Sequence, residues 1–273
     1  CGAAPLDPEL INKMEGYGFK FLQGYGLTET SPLVTGTSLK CDAPGTVGKA
    51  VEGVEVRIDL SNNEDENSNI GEIIVKGPNV MLGYYEDEEA TKNVMKKGWF
   101  YTGDLGYFDL RGNLVITGRT KNVIVTANGK NIFPEELENL LNKTTFVAES
   151  MVYGKKVSKI SKDVIVAARV TLDDEKIKEQ FGDNIPSDEK LYDIIFEDIK
   201  KINRVMVSYK AIKELEIKKD DFEKTTTMKI KRYAEIENSD YDNMITTEKI
   251  NEIKASKRKD KRKVVTVEAK KKK

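Results

Sequence analysis

Hydrophobic and polar positions alternate in short runs over roughly the first 118 residues and switch to longer periods after Arg119. ELINKME at 9–15 has the spacing of a short helix, and FKFLQGYG reads as a strand entering a glycine-bracketed loop. GTVGKAVEGVEVRIDL at 45–60 alternates with a period of two, glycines marking its breaks; GEIIVKG at 71–77 is a further strand. DEEATKNVMKKG at 87–98 reads as a helix stopped by glycine, and YFDLRGNLVITG at 107–118 as a hairpin turning at Arg111-Gly112-Asn113. The 45–118 stretch is therefore expected to be mostly β, a small barrel or open sheet with one helical insertion.

Beyond Arg119, NVIVTANGKNIF places two apolar runs around Asn128-Gly129, a strong hairpin signal because both residues tolerate positive φ. Pro134 then opens the helix PEELENLLNK with glutamates in its first turn. ESMVYG, VIVAARVTL and AIKELEI are expected strands; EKIKEQF and SDEKLYDIIFEDIKKINRVM are expected helices. In the longer helix Leu191, Ile194, Ile195, Ile199 and Ile202 recur at helical spacing. These elements make a compact α+β unit of domain size, with its boundary near Gly118–Lys121.

Composition narrows the chemistry. The 273 residues carry 45 basic and 46 acidic side chains, so overall charge gives no bias toward nucleic acid. The sequence has no histidine and two cysteines, Cys1 and Cys41, which argues against a zinc site or a histidine-activated nucleophile. A reducing cytoplasm fits that cysteine usage. No apolar run reaches the length of a membrane span. KASKRKDKRKVVTVEAKKKK, from Lys254 onward, reads as a solvated, disordered end, the alternative being a weak anchor to anionic lipid or nucleic acid. The opening CGAAPL looks like an internal starting point, and the chain is expected to be a piece of a longer protein.

Three stretches exceed what structure alone calls for. In GYGLTETSPLVTGT, at 24–37, a turn explains the glycines but not the Thr-Glu-Thr cluster, which suits phosphate oxygens and, through Glu29, Mg²⁺. In WFYTGD, Asp104 follows three aromatics and a Thr-Gly step; it suits the two hydroxyls of a ribose, with Arg119 near the same sugar or a phosphate. The structural alternative is a surface Asp–Arg pair of little worth. In EKTTTMKIKRY a threonine run precedes lysines, either as a solvated basic segment or as a loop carrying one lysine to a growing phosphoryl charge.

Together and in this order, CGAAPL, GYGLTETSP, GTVGK, GEIIVKGPNVMLGYY, GWFYTGDLGYFDLRGNLVITGRTKNVIVTANGKNIFPEELE and TTTMKIKRY resemble the AMP-forming acyl-CoA synthetases of the adenylate-forming superfamily, in the long-chain fatty acid–CoA ligase branch. The resemblance implies an α+β multidomain protein. Residues 1–118 would be the C-terminal part of the large domain, mostly β and barrel-like, and 119–121 a hinge. Residues 122–237 would be the small mobile domain and 238–273 a basic, disordered tail.

It also implies ATP-dependent activation of a carboxylic acid to acyl-adenylate and then acyl-CoA, with ATP/AMP, Mg²⁺ and coenzyme A as the small molecules used. Gly2, Ala3 and Ala4 would line the adenine pocket, with Tyr25 against the base and Gly26 beside it. Thr28 would contact phosphate, Glu29 would hold Mg²⁺, and Asp104 with Arg119 would bind the ribose. Lys121 would be the hinge, Gly129 would face the pantetheine channel, and Lys229 would be the adenylation lysine. Trp99 to Tyr101 would be the packing that places Asp104.

Two departures matter. Met228 stands where the motif usually has glycine, a change frequent in long-chain members. The phosphate loop and most of the acyl pocket lie upstream of CGAAPL in such enzymes, so this stretch alone is expected to be inactive or nearly so. An acyl carrier protein as acceptor is the alternative to coenzyme A. No nucleic-acid partner is expected; the location is cytoplasmic, with weak membrane-surface association through the basic end as an option.

Overall fold

The computed structural model describes residues 1–2, 6–39, 43–61, 68–157, 163–226 and 228–256. The chain divides into two compact units, Cys1–Val123 and Ile124–Lys273. Ala3, Ala4, Cys41 and the basic run past residue 256 lie outside the described residues.

The first unit opens with helix α1, Pro8–Gly16, capped by the Asp7 side chain on the Glu9 N–H and anchored by buried Ile11. Strands β1 (Gly24–Gly26), β2 (Leu33–Gly36) and β3 (Lys49–Ala50) form a small antiparallel sheet. The strand expected over 19–26 is thus confined to its last three residues, and Phe19 and Leu22 are exposed.

A second sheet of five strands carries most of this unit. It comprises β4 (Glu55–Asp59), β5 (Gly71–Lys76), β6 (Met95–Lys96), β7 (Trp99–Phe108) and β8 (Leu114–Arg119), with helix α2 (Glu88–Val94) leading into β6. Strand β5 runs along one edge of β7; β6 and β8 share the other edge at its two ends. Ile73, Val75, Leu114, Val34 and Tyr25 form the core between the sheets.

The WFYTGD stretch lies within one strand, β7, interrupted at Gly103 by a φ of +72°. Phe100 alone of the three aromatics is core. Trp99 lies beneath Arg57, whose guanidinium carbon sits 4.6 Å from the ring centroid, and Lys96 lies over Tyr101 at 4.7 Å. Cations satisfy the ring faces here, as the aromatic quadrupole favours.

In the second unit, β9 (Ile124–Val125) and β10 (Asn131–Ile132) make the expected hairpin, followed by helix α3 (Pro134–Leu141). The main sheet runs β11-β12-β13-β14, with β11 over Val147–Lys156, β12 over Val164–Leu172, β13 over Ile212–Lys218 and β14 over Met244–Thr246. β12 and β13 are parallel and the outer pairs antiparallel. A parallel pair needs a crossover, and helices α4 (Asp174–Phe181) and α5 (Asp188–Val205) supply it. Ile195, Ile199 and Ile202 of α5 face the main core as their spacing predicts, while Leu191 and Ile194 pack in a satellite cluster with Phe146 and Ile177.

Helix α6 (Arg232–Glu237) follows the Lys229 segment, and helix α7 spans 247–256. The expectation of a disordered tail from 238 fails for the described part: β14 pairs with β13, and Met244, Ile245 and Ile250 are buried. Their apolar positions are few and set among charged residues, which made the segment read as solvated. No helix among the described residues is long and apolar enough to cross a membrane.

Candidate nucleotide site

Asp104 is the centre of the candidate site in the first unit. It sits on β7 directly opposite Arg119 of β8, with a register shift in the same pairing between Leu105 and Gly106. The Arg119 Nε donates to Asp104 Oδ1 at 2.7 Å, and the Tyr25 hydroxyl donates to Asp104 Oδ2 at 2.8 Å. Thr102 fixes the backbone beneath, its hydroxyl accepting from the Asp104 N–H at 3.1 Å and donating to the Ile73 carbonyl. Asp104 is 7% exposed, whereas the Arg119 side chain is 50% exposed. A carboxylate offers about four lone-pair directions. With one donor on each oxygen in these contacts, Asp104 keeps acceptor capacity for a vicinal diol.

Tyr25 is tied into the interior of the unit. Its ring packs in the core cluster with Val34, Ile73 and Leu114, and its hydroxyl is spent on Asp104. Burial, then the adjacent Asp104 charge, pushes its phenol above the ordinary range, which keeps it a donor. Close by, Glu72 accepts from the Gly103 N–H at 3.0 Å; burial raises its carboxyl above the usual value.

Thr28 and Glu29 follow β1 in a single 3₁₀ turn, Thr28–Thr30. Buried Thr30 fastens this turn: its hydroxyl accepts from the Leu27 N–H and lies on the carbonyls of Leu27 and Pro32. Asn79 adds donors to the carbonyls of Thr30 and Leu33. Gly26 is needed at the entry because a Cβ there would lie 1.7 Å from the Pro32 carbonyl oxygen. Thr28 is exposed, and the Tyr84 hydroxyl donates to Glu29 Oε1 at 3.0 Å. Among the described residues no cluster of three or more acidic or sulfur ligands could hold a metal by itself. Glu29 offers a single carboxylate, and Mg²⁺ is commonly held by one or two carboxylates together with phosphates and water.

Gly2 adjoins the same strand, the Gly24 N–H donating to the Cys1 carbonyl at 2.9 Å. Lys121 is exposed in the 3₁₀ turn Thr120–Asn122, just past Arg119. The structure thus joins Tyr25, Asp104 and Arg119 directly and places Thr28 and Glu29 next in chain to β1.

Gly129 and Lys229 belong to the second unit, in two hairpin loops of the same construction. In one, the Thr126 N–H donates to the Lys130 carbonyl, the Gly129 N–H to the Thr126 carbonyl, and the Lys130 N–H to the Thr126 hydroxyl. In the other, Thr225, Met228 and Lys229 repeat these three bonds. The fourth position has positive φ in both: +70° at Gly129 and +61° at Met228. The turn at Asp109 follows the same plan, with Gly112 at +76°. A glycine consensus at this position is therefore a conformational requirement, which Met228 meets under strain. The Lys229 side chain is exposed.

Sequence reasoning missed Tyr84 as partner of Glu29, Tyr25 as partner of Asp104, and Thr102, Thr30 and Asn79 as supports. Tyr84 lies in the GYY segment, which the sequence singled out without assigning it a contact.

The buried Asp104 carboxylate with its two donors, and the threonine–glutamate turn after β1, are the features to set beside known proteins. Residues 1–85 match the family model described as AMP-binding enzyme. The long-chain-fatty-acid–CoA ligase FadD15 of Mycobacterium tuberculosis is 34% identical over 247 residues, covering 85% of this chain and 38% of its own length. A 2-succinylbenzoate–CoA ligase of Bacillus velezensis is 39% identical over 163 residues, 59% of this chain and 33% of its own. Among solved structures, o-succinylbenzoate CoA synthetase (MenE) of Bacillus subtilis with the acyl-adenylate OSB-AMP aligns at a TM-score of 0.69 and 28% identity, covering 85% of this chain and 44% of that one. ATP-bound MatB of Rhodopseudomonas palustris aligns at 0.69 and 31% identity, covering 87% and 44%. The chain thus carries the AMP-binding family's sequence over residues 1–85 and the fold of the adenylate-forming CoA synthetases, and it spans 33 to 44% of the length of these relatives.

Proposed function

We propose that the protein activates a long-chain fatty acid with ATP, forming acyl-adenylate and pyrophosphate, and then passes the acyl group to the thiol of coenzyme A with release of AMP. The observation that carries this reading is Asp104: buried, oriented by Tyr25 and Arg119, and still able to accept from two ribose hydroxyls. The fatty acid's carboxylate is already a nucleophile, so the chemistry asks for positioning and charge neutralisation, and the lack of histidine is no obstacle.

In this reading Asp104 and Arg119 orient the sugar, Gly2 and Gly26 bound the nucleotide pocket, and Thr28 donates to phosphate. Mg²⁺, held through Glu29, would neutralise phosphate charge. Lys229 brings an ammonium to the α-phosphate as charge accumulates there. Lys121 serves as the hinge and Gly129 borders the thiol's approach. The FadD15 match over 85% of the chain and Met228 favour a long-chain acid; the relatives named as 2-succinylbenzoate–CoA and indoleacetate–CoA ligases mark the competing substrates.

The test is AMP release by the protein at its full natural length with ATP and Mg²⁺, over palmitate, octanoate, acetate and 2-succinylbenzoate, with and without coenzyme A. Release that depends on palmitate and coenzyme A, and is lost in Lys229→Ala, is the expected result. Release with 2-succinylbenzoate alone would overturn the acid assignment, and release indifferent to coenzyme A would overturn the acceptor.

A further inference from the structure

The second unit hides a polar network that the chemistry above does not use. Arg169, in the middle of β12, is 0% exposed. Its Nε and Nη2 donate to Glu216 Oε2 at 2.9 and 2.7 Å, and Nη2 also donates to the Ser239 hydroxyl at 3.0 Å. Tyr153 adds its hydroxyl to the same Glu216 oxygen at 2.8 Å, and Lys155 reaches the other at 3.0 Å. Burial alone would disfavour the Arg169 charge; Glu216 outweighs it, and the guanidinium is held more firmly protonated than usual. Its remaining arm, Nη1, donates to the backbone carbonyl of Glu235 in α6 and lies 3.7 Å from Glu235 Oε2.

Glu235 faces the hairpin that carries Lys229. Its Oε1 accepts from the Glu223 N–H at 2.7 Å and from the Lys218 ammonium at 2.9 Å. Glu223 begins the hairpin stem, and its carbonyl accepts from the Lys231 N–H at 2.8 Å, two residues past Lys229. Lys224 pairs with Ile230 across the stem, and Phe222 is buried beneath it against Met151, Tyr153 and Ala167. The chain of contacts is therefore continuous from the sheet interior, through Arg169 and Glu235, to the stem below Lys229. A purely packed helix would not need a buried guanidinium to hold it, since burying such charges is costly.

We propose that Glu235 is a positioning residue for Lys229, and that Arg169 holds Glu235 in register; as a role in catalysis this rests on the function proposed above. Glu235 touches no substrate in this reading. It fixes the stem so that a long, flexible lysine starts from one defined backbone position.

The test uses Glu235→Ala and Glu235→Gln in the protein at its full natural length, with Lys229→Ala alongside. Adenylation is read by pyrophosphate exchange, and the second step by acyl-CoA formation from supplied palmitoyl-adenylate. Hydrogen exchange is followed in parallel over 223–231 and over β11–β12. Glu235→Ala is expected to lower kcat of adenylation by about ten- to a hundredfold, the scale of an ångström-sized misplacement, with the KM for ATP within about twofold. The second step stays intact, exchange rises over 223–231 only, and Glu235→Gln, which keeps an acceptor for the Glu223 N–H, falls between. Equal loss in both steps, or exchange rising across the whole sheet, would show a merely structural role and overturn the proposal, as would unchanged adenylation in Glu235→Ala. Unchanged adenylation in Lys229→Ala would instead overturn the functional reading, and the exchange data would still decide whether Glu235 fixes the hairpin.

Discussion

Tyr25 and Asp104 lie 79 residues apart in sequence and are joined by a 2.8 Å hydrogen bond inside the first unit. The bond ties the small sheet to the large one and sets the carboxylate's angle. Removing the donor in Tyr25→Phe leaves a buried carboxylate oxygen without that partner. We expect a loss of about 1–3 kcal/mol in the stability of this unit. Urea unfolding followed by the fluorescence of Trp99, the sole tryptophan, reports on this unit directly.

Gly26→Ala tests the turn that carries Thr28 and Glu29. The new methyl would overlap the Pro32 carbonyl, so backbone must move, at a cost of about 1–3 kcal/mol. Nucleotide affinity should fall more than stability, because the displaced segment is the one proposed to face phosphate. Calorimetric titration with ATP–Mg²⁺ at full natural length, set beside thermal unfolding, separates the two effects.

Met228→Gly should act in the opposite direction. A non-glycine residue at φ +61° is strained by about 1–2 kcal/mol, and the flexibility glycine adds to the unfolded chain returns part of that. A net stabilisation of up to about 1 kcal/mol is expected. The matching change in the sister loop, Gly129→Ala, should destabilise by about 1 kcal/mol. Thermal unfolding followed by circular dichroism gives both signs; equal signs would disprove the shared loop geometry.

Glu72 supplies a pH dependence. Burial, opposed in part by the Gly103 N–H, raises its carboxyl pKa in the folded state. A raised pKa means that its contribution to stability is complete below the unfolded value and is lost as pH rises through the folded one. Glu72→Gln keeps an acceptor for Gly103 and removes the charge. The melting temperature of the variant relative to the parent should therefore be higher at pH 7 than at pH 4. A difference independent of pH between those limits would refute the assignment.

The sequence made the local elements plain and left their meeting points hidden. Period-two runs and the Asn128-Gly129 and Arg111-Gly112 turns marked strands and hairpins because those signals are carried by neighbours in the chain. The Thr28–Glu29 turn, Asp104, Arg119 and Lys229 were legible through motifs in order. The Tyr25–Asp104 bond was not, since nothing near Tyr25 distinguishes a ring against a base from a ring in a core. Nor was the Arg169 network: one arginine in VIVAARVTL carries no mark of the Glu216 and Glu235 that neutralise it. Residues 241–250 were missed for a related reason, because three short apolar positions in a charged stretch gain their meaning only from the sheet edge they meet.

That edge bears on how the protein behaves in solution. β14 and the Thr247 hydroxyl occupy the hydrogen-bonding side of β13, Thr247 accepting from the Leu215 N–H at 2.9 Å. A version cut at residue 237 would retain each of the motifs, from CGAAPL to TTTMKIKRY, that carry the resemblance. It would also bare a strand rich in fully buried aliphatic residues, Leu215 and Ile217 among them, along an open edge that another copy could pair with. Covering that edge falls to Met244, Ile245, Thr246 and Thr247, to which the proposed chemistry gives no role.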